Sequence, residues 1–442
     1  MLILLFSIAI YLNIFYFSYN LLLIQLVFTF LYLSTNLIHI FFVSSYLFNS
    51  YILLDNFRWF LMFLLLIIMF LMYSFIVEEF FLIKSIVLRI VFLLGFCAFV
   101  FTTNNFIVFY VSYECSLLPI MYIIIKFGKY SNRYLRSLIL IAYTSLFAVP
   151  FLFVLGSLYR KLCSFSILFL DTSVSFNSFN FFVFSLIRFF IFLVKLPCYG
   201  LHFWLPLAHV EAPTAGSMIL AGILLKLRVI GMLRFSKLIT DSFIIYYLQS
   251  YFLIRIVCAT LLCCFQSDFK RLVAYSSISH IRLIPLLVLS NTKMFFNCRV
   301  LIALFHGFSS VFMFILVSQV YTINKTRQIY YVHGLIFFYP LLTLLRVIRF
   351  MGTLSMPPFP RFLSEVIAFI CIASFNFLNM WILFRFSFIS GIYRLQWLTI
   401  IFFSKRKNYI NYSSIPFSNK ISLFYIIIIF MPFLFLINFV IN

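Results

Sequence analysis

The chain has 442 residues, of which 65% are hydrophobic and 9% are charged, and its formal net charge is +23. Globular chains are roughly 45–50% apolar, so a soluble domain could not bury this much apolar surface. The composition therefore excludes a soluble enzyme or binding domain and predicts a polytopic membrane protein.

Apolar runs of roughly 20 residues follow one another along the chain, which is the length that a helix needs to cross a bilayer. The first begins at Met1 without a basic leader and leads into further spans, so we interpret it as a span and not as a cleaved signal peptide. The runs lack the alternation of a transmembrane β-strand, which argues against a β-barrel. They predict an all-α fold of about 13–14 transmembrane helices, at approximately 1–17, 20–48, 58–77, 80–101, 104–126, 137–158, 180–198, 214–234, 243–264, 270–290, 297–320, 331–350, 362–390 and 420–440.

Basic residues in the connections predict the orientation of these helices. If 104–126 is the fifth helix, the odd-to-even connections carry 12 Lys and Arg residues and the even-to-odd connections carry 6. The odd-to-even connections should therefore face the inner compartment, with the N-terminus on the outer side.

The sequence lacks the motifs of several common functional sites. The nine cysteines show no paired CxxC spacing, so we interpret them as small buried hydrophobic residues. Walker, GxGxxG and HExxH patterns are absent. The basic residues form no patch on a folded face, so we expect no nucleic-acid partner.

Ionisable residues lie inside the apolar runs, where a charge costs about 2.5–3.5 kcal/mol on insertion scales. Any single one could reach toward the interface, cap a helix or tie two helices together. Several on separate helices favour instead a chain of groups that passes protons. The residues are Glu114, Lys195, Lys226, His280, His306 and Glu365.

Prolines interrupt two of the predicted spans close to these residues. Pro197 follows Lys195 by two positions, and Pro357 and Pro358 precede Glu365. A proline opens a helix, which a membrane tolerates only beside protein or a water-filled cavity. Two interrupted helices in corresponding halves indicate an inverted-repeat transporter with repeats of about five helices each.

Residues 194–227, VKLPCYGLHFWLPLAHVEAPTAGSMILAGILLKL, resemble the signature of the NADH–ubiquinone oxidoreductase chain 4 family. The segments YECSLLP, FQSDFKRLVAYSSISH, HGFSS and PPFPRFLSE follow in the order that this family has. The resemblance covers about residues 100–370. These proteins are antiporter-like membrane subunits of respiratory complex I, and the HVEAPTAGSMILAG wording favours chain 4 over the related chains 2 and 5.

The resemblance implies two inverted five-helix repeats, at 101–238 and 239–402, between N-terminal helices at 1–100 and a polar loop with a C-terminal helix at 403–442. It also implies roles for the ionisable residues. Glu114 matches the glutamate that pairs with the broken-helix lysine, Lys195, and Lys226 matches the next lysine on the axis. His280 and His306 match histidines of the connecting path, and Glu365 matches the acid of the second broken helix.

The remaining histidines and Glu211 receive structural interpretations. We interpret His209 and Glu211 as loop and packing residues, and His202 as an interfacial structural residue; His39 and His333 match nothing in the family.

The resemblance further implies no cofactor in this chain, because flavin, iron–sulfur clusters and ubiquinone belong to the rest of complex I. The implied partners are the other membrane subunits, especially chains 2 and 5, together with lipids. The implied location is the mitochondrial inner membrane, with the N-terminus on the intermembrane-space side. Two alternatives remain: an Mrp-type Na⁺/H⁺ antiporter subunit and a purely structural membrane anchor.

Some arginines stand inside apolar runs or where the family has small residues, and we expect no acids to pair with them. Either they add proton-path or lipid-binding charges, or they are serines, since AGA and AGG specify serine in many invertebrate mitochondria. We favour serine, which a membrane tolerates more readily than unpaired arginine. The positions are Arg188, Arg228, Arg255, Arg282, Arg346, Arg349, Arg361 and Arg385.

Overall fold

A computed structural model of the chain describes most residues from 84 to 404, and the described residues form two compact units. The first unit lies within Met1–Val194 and Glu211–Ile239, and the second within Lys195–Val210 and Thr240–Asn442. The described ranges are 46–49, 52–54, some positions between 58 and 72, 84–128, 131–162, 196, 202–235, 242–289, 293–324, 326–331, 340–357, 359–375 and 378–404.

The first unit contains a short antiparallel hairpin and a group of helices. Strands β1 (Tyr46–Asn49) and β2 (Ile52–Leu54) pair with a register shift between Leu47 and Asn49. The helices are α1 (Lys84–Thr102), α2 (Phe106–Cys115), α3 (Leu117–Phe127), α4 (Arg133–Leu162), α6 (Thr214–Ile219) and α7 (Leu225–Phe235). Helix α1 packs against α2, α3 and α7, while α4 packs against α3.

The described part of the second unit consists of helices and their connections, with one isolated antiparallel β-bridge between Asp268 and Gln328. Its helices are α8 (Ser242–Cys264), α9 (Phe269–Ile281), α10 (Leu283–Val288), α11 (Lys293–Asn324), α12 (Pro340–Thr353), α13 (Pro360–Phe375) and α14 (Leu378–Leu398). A 3₁₀ turn spans Ile329–Tyr331. Helix α11 packs against α9, α10, α12 and α13, so it is the central helix of this unit. Helix α5 (Trp204–Glu211) belongs to this unit except for its last residue.

Six of the described helical segments are long and apolar enough to cross a membrane, so the predicted membrane-spanning helical fold is confirmed. They are Phe106–Phe127, Arg133–Ser157, Thr214–Arg234, Tyr247–Cys264, Asn297–Tyr321 and Asn379–Phe403. The windows Thr214–Arg234 and Asn297–Tyr321 are wholly buried within the protein, whereas Arg133–Ser157 is 33% buried.

The predicted span 214–234 continues from α6 through a π-helical segment into α7. Three other predicted spans are not single helices, and proline explains two of them. The predicted helix 104–126 is interrupted at Ser116, because Pro119 offers no N–H to the carbonyl of Cys115. The predicted helix 270–290 is interrupted at Arg282, because Pro285 offers none to Ile281. The predicted helix 362–390 comprises α13 and α14.

The break predicted near Pro357 lies between α12 and α13. Helix α12 ends at Thr353, and Ser355 adopts φ 55°, a conformation that ends a helix and that non-glycine residues rarely adopt. A Cβ added at Gly352 would lie 3.2 Å from the Phe359 ring, so glycine lets this ring fold back on the end of α12. Pro357 itself is in the interhelical segment.

Candidate functional site

Glu365, on α13, is the centre of a buried charge cluster in the second unit. Its Oε1 lies 3.0 Å from Nδ1 of His280 on α9. The same oxygen accepts a hydrogen bond at 3.1 Å from Nε of Arg361, one helical turn before it on α13. Arg361 also donates to Oγ of Ser309 on α11 at 2.9 Å. Three helices therefore hold one carboxylate in a fixed position.

Arg394, on α14, completes this cluster on the other side of His280. Its guanidinium contacts Nε2 of His280 and donates to the carbonyl of Thr353, while its Nε lies 3.2 Å from the Tyr393 hydroxyl. His280 thus has a carboxylate at one ring nitrogen and a guanidinium at the other. Arg394 was not among the predicted site residues, although it stands in the apolar run SGIYRLQWL, as the other unusual arginines stand in theirs.

A small polar cavity of about 20 Å³ adjoins the cluster, which is room for one water molecule. His306, on α11, lines it together with Arg361 and Arg394. Most of the other polar groups at its wall are hydroxyls, from Ser276, Ser277, Ser309, Ser310, Thr353 and Tyr393. His306 therefore lies beside the same cavity as Arg361 and Arg394, the two arginines that contact Glu365 and His280. The predicted path through His280, His306 and Glu365 stays a prediction.

In the first unit, Glu114 lies on α2, two residues before the interruption at Ser116. It is half-buried, and Arg228 of α7 interacts electrostatically with it. The Arg228 guanidinium also faces the hydroxyl of Tyr113. Arg228 itself is buried, with 2% of its surface exposed. The described part of this site is therefore a glutamate, a tyrosine and a cation between α2 and α7.

Lys226, on α7, is fully buried and lies two residues after the end of a π-helical segment, Leu220–Leu224. Its Nζ donates to the carbonyl of Ala221 at 2.7 Å. A π segment shifts the backbone pairing, and such segments often occur at functional sites. The π segment therefore supplies a hydrogen-bond acceptor for the lysine from the same run of helix. The π segment was not predictable from the sequence, because neither proline nor a polar residue marks residues 220–224.

Glu211 forms a buried ion pair within the first unit. Its Oε1 lies 2.6 Å from the guanidinium of Arg136 on α4, and the Glu211 side chain is fully shielded. The carbonyl of Glu211 also lies close to Gly128, at the end of α3. This arrangement is consistent with the packing role that we gave Glu211.

Two histidines make ring contacts in the second unit. His209 stacks on Phe314 with ring centroids 4.9 Å apart. His202 stacks on Phe203 at 4.6 Å and meets Tyr275 edge-on at 6.0 Å. These contacts agree with structural roles for both residues, and those roles stay predictions.

Part of the predicted site lies outside the described residues. Lys195, Pro197 and Pro358 belong to this group, so the predicted Glu114–Lys195 pair and the first proline break stay predictions. His39, His333 and Arg188 also lie outside the described residues, as does the side chain of Arg349.

The expectation that no acid pairs with the unusual arginines was wrong for Arg361, which bonds to Glu365. It was also too strict for Arg228, which interacts with Glu114. Arg282 finds a backbone acceptor instead, the carbonyl of Arg255 at 2.7 Å. Arg346 is buried, whereas Arg385 is exposed on α14. A sequence shows which charges exist, but the tertiary structure decides which of them meet.

A metal-binding cluster would be a different kind of functional site. Among the described residues, no group of three or more His, Cys, Asp or Glu side chains is placed to hold a metal ion. The groups that do come together around Glu365 are a carboxylate, an imidazole, hydroxyls and two guanidinium groups.

The fold is that of the membrane subunits of respiratory complexes and their antiporter relatives. The structure of an archaeal membrane-bound sulfane sulfur reductase matches with a TM-score of 0.83 at 19% identity, covering 99% of this chain and 95% of that one. Respiratory complex I from Thermus thermophilus matches with a TM-score of 0.81 at 18% identity, covering 97% and 94%. The Mrp complex from Dietzia sp. DQ12-45-1b matches with a TM-score of 0.79 at 16% identity, covering 88% and 76%.

Residues 103–391 match the family model described as NADH:quinone oxidoreductase/Mrp antiporter, transmembrane, which defines the class of the protein. Three relatives of this class share the name NADH-ubiquinone oxidoreductase chain 4. The NADH-ubiquinone oxidoreductase chain 4 of Ascaris suum is 34% identical over 70% of this chain and 73% of its own length. The chain 4 of Polypterus ornatipinnis is 32% identical over 68% of this chain and 66% of its own length. The chain 4 of Paracentrotus lividus is 31% identical over 64% of this chain and 62% of its own length. The chain belongs to the NADH-ubiquinone oxidoreductase chain 4 family.

Proposed function

We propose that this chain is a proton-translocating membrane subunit of respiratory complex I, and that protons move along Glu114, Lys195, Lys226, His306, His280 and Glu365. The observation that carries the proposal is the 3.0 Å contact between His280 Nδ1 and Glu365 Oε1, in a buried cluster beside a hydroxyl-lined cavity. Buried ionisable groups in a membrane mark ion or proton paths more often than they mark packing.

In this proposal a proton is exchanged between Nδ1 of His280 and the carboxylate of Glu365, which lie 3.0 Å apart. Nε2 of His280 faces the guanidinium of Arg394, which only donates hydrogen bonds, so this nitrogen takes no part in the exchange. A water molecule and the serine hydroxyls of the cavity connect His306 to this cluster, since each of them both donates and accepts hydrogen bonds.

Lys226 serves as the loading site of the first unit in this proposal. The protonated ammonium is held by a charge-assisted bond to the Ala221 carbonyl at 2.7 Å. Loss of the proton weakens that bond and lets the amine move. Glu114 tunes Lys195 by adding or removing a negative neighbour as their pair closes and opens, which is a hypothesis about a contact outside the described residues.

The setting of this activity is also part of the proposal. Electrons move in other subunits, which hold the flavin, the iron–sulfur clusters and the ubiquinone site, and this chain has no redox centre of its own. Its neighbours in the membrane are chains 2 and 5. The complex lies in the mitochondrial inner membrane, with the N-terminus of this chain on the intermembrane-space side.

The proposal is tested by Glu365→Gln, which keeps the shape of the side chain but cannot take up a proton. We expect NADH-driven proton pumping, measured per assembled complex in inner-membrane vesicles, to fall close to that of uncoupled vesicles. Asp268→Asn is the matched control, because this carboxylate makes a partly exposed pair with Arg271. Undiminished pumping by Glu365→Gln would contradict the proposal. A loss of pumping in both variants would show that the effect is not specific to the site.

A further inference from the structure

Helices α1 and α3 of the first unit pack against each other, and two cations meet the ring of one tyrosine there. The guanidinium carbon of Arg89, on α1, lies 3.2 Å from the centroid of the Tyr122 ring on α3. Nζ of Lys126, one turn after Tyr122, lies 5.8 Å from the same centroid. An aromatic ring attracts a cation electrostatically at such distances. Lys126 is exposed and Arg89 is half-buried, so one ring holds both cations at the protein surface.

The two cations lie at a membrane boundary. The apolar part of α1, Arg89–Thr102, begins at Arg89, and the membrane-crossing segment Phe106–Phe127 ends one residue after Lys126. Among the residues that the structure describes, no carboxylate forms an ion pair with Lys126. Because the ammonium of Lys126 is also exposed, an anion from outside the chain can reach it.

Exposed apolar side chains continue from each cation toward the middle of the membrane. Phe92 and Phe99 follow Arg89 by three and ten residues, which puts them on the same side of α1. Leu118 precedes Lys126 by eight residues, so it lies about two turns away on the same side of α3. Phe92 and Leu118 each expose 58% of their surface. Ten residues of helix rise about 15 Å, about half of a hydrocarbon core of roughly 30 Å, so this surface is about as long as the acyl chain of one leaflet.

We propose that this surface of α1 and α3 binds an anionic phospholipid of the surrounding membrane. The phosphate group accepts charge-assisted hydrogen bonds from the guanidinium of Arg89 and the ammonium of Lys126. One acyl chain lies along Phe92 and Leu118. A free phosphate ion would contact only the cations, and a lipid without net charge would neutralise less of their positive charge. An anionic lipid matches both the charged and the apolar part of the surface.

The first measurement compares phosphatidylglycerol with phosphatidylcholine, by native mass spectrometry of the full chain in detergent. Arg89→Gln together with Lys126→Gln should weaken the tightest phosphatidylglycerol binding about thirtyfold, since each basic residue near a membrane surface contributes about a factor of five. The matched control is Arg160→Gln with Lys161→Gln, which removes the same charge near the end of α4. An unchanged affinity in the first pair, an equal loss in the control pair, or displacement of the lipid by inorganic phosphate would overturn the proposal.

A second measurement locates the lipid and does not depend on the folding of the charge variants. Phe92→Trp adds a fluorophore beside the proposed acyl chain and keeps both cations. In phosphatidylcholine vesicles, we expect brominated phosphatidylglycerol to quench the added fluorescence, relative to the unsubstituted chain, more than brominated phosphatidylcholine does.

Three outcomes of this work contradict the proposal. Equal quenching by the two brominated lipids would mean that the surface has no preference for an anionic lipid. No quenching by either would mean that protein, and not lipid, covers the surface. A peptide mass that reports serine at position 89 would remove one of the two cations on which the site depends.

Discussion

The two units use a similar local device but surround it differently. Glu114 in the first unit and His280 in the second each precede a proline by five residues, and in each case the helix is interrupted between the two. In the second unit, side chains from α9, α13 and α14 meet at His280 and Glu365, with direct contacts of 3.0 and 3.1 Å at the carboxylate. In the first unit, Glu114 is half-buried and interacts with Arg228, while Lys226 bonds to its own helix.

This difference indicates different sensitivities to distance in the two units. A contact hydrogen bond is lost when a side chain shortens by one methylene, because hydrogen bonds weaken steeply beyond their normal length. An interaction between charges declines only as the inverse of their separation. The second unit should therefore depend on the length of its acid, and the first unit mainly on the presence of its charge.

The largest expected effect comes from changing the acid of each unit in turn. We expect Glu114→Gln and Glu365→Gln both to remove most NADH-driven pumping per assembled complex, because each unit supplies one part of the path. Shortening each acid by one methylene should distinguish the two units. Glu365→Asp should lose its contact with His280, so we expect little pumping from this variant. Glu114→Asp keeps its charge, so we expect substantially more pumping from it. Equal pumping by the two aspartate variants would break the comparison.

The next effect concerns stability and compares a buried ion pair with an exposed one. Arg136→Ala leaves the fully shielded Glu211 without its ion-pair partner, and loss of one member of a buried pair costs about 3–5 kcal/mol. Arg271→Ala breaks a pair whose side chains are 46% and 30% exposed, and such pairs contribute about 0–1 kcal/mol. Thermal unfolding of the detergent-solubilised chain measures both. Adding Glu211→Gln to Arg136→Ala should recover part of the loss; no recovery would mean that Arg136 acts through packing alone.

A smaller effect tests the break between α12 and α13. Gly352→Ala puts a Cβ 3.2 Å from the Phe359 ring, and overpacking of this kind costs about 1–3 kcal/mol. Gly391→Ala, inside α14, meets nothing within 4 Å, and replacing a helical glycine by alanine gains about 0.5–1 kcal/mol. The two variants should thus shift the unfolding temperature in opposite directions. A stabilising Gly352→Ala would show that the ring moves away at no cost.

The last prediction requires no substitution and concerns which amino acid, serine or arginine, occupies the unusual arginine positions. Among the described residues of the second unit, the buried cations far outnumber the buried carboxylates, for which Glu365 is the single example. Removing a charge from water is costly even where the charge has a partner, so serine at the unusual arginine positions stays our prediction. We expect peptide masses to report serine at positions 228, 282 and 361, with AGA or AGG codons. Tryptic cleavage after these three positions, or CGN codons, would show that the arginines are genuine.

Much of the fold could be predicted from the sequence because hydrophobic length is a local property. The predicted spans at 243–264 and 297–320 agree closely with α8 and with the segment Asn297–Tyr321. The interruptions at Ser116 and Arg282 could also have been predicted, since Pro119 and Pro285 are visible in the sequence. The π segment before Lys226 could not, because no proline or polar residue marks it in the sequence.

The sequence by itself determined the class of the protein, its membrane-spanning helices and the identity of its ionisable residues, because these depend on composition, run length and motif wording. Only the tertiary structure decided which groups meet: Glu365 with His280 and Arg361, and Glu211 with Arg136. The physical reason is that contacts between separate helices depend on how the helices pack. Spacing along the chain does not encode such packing, whereas hydropathy and proline act on the helix in which they stand.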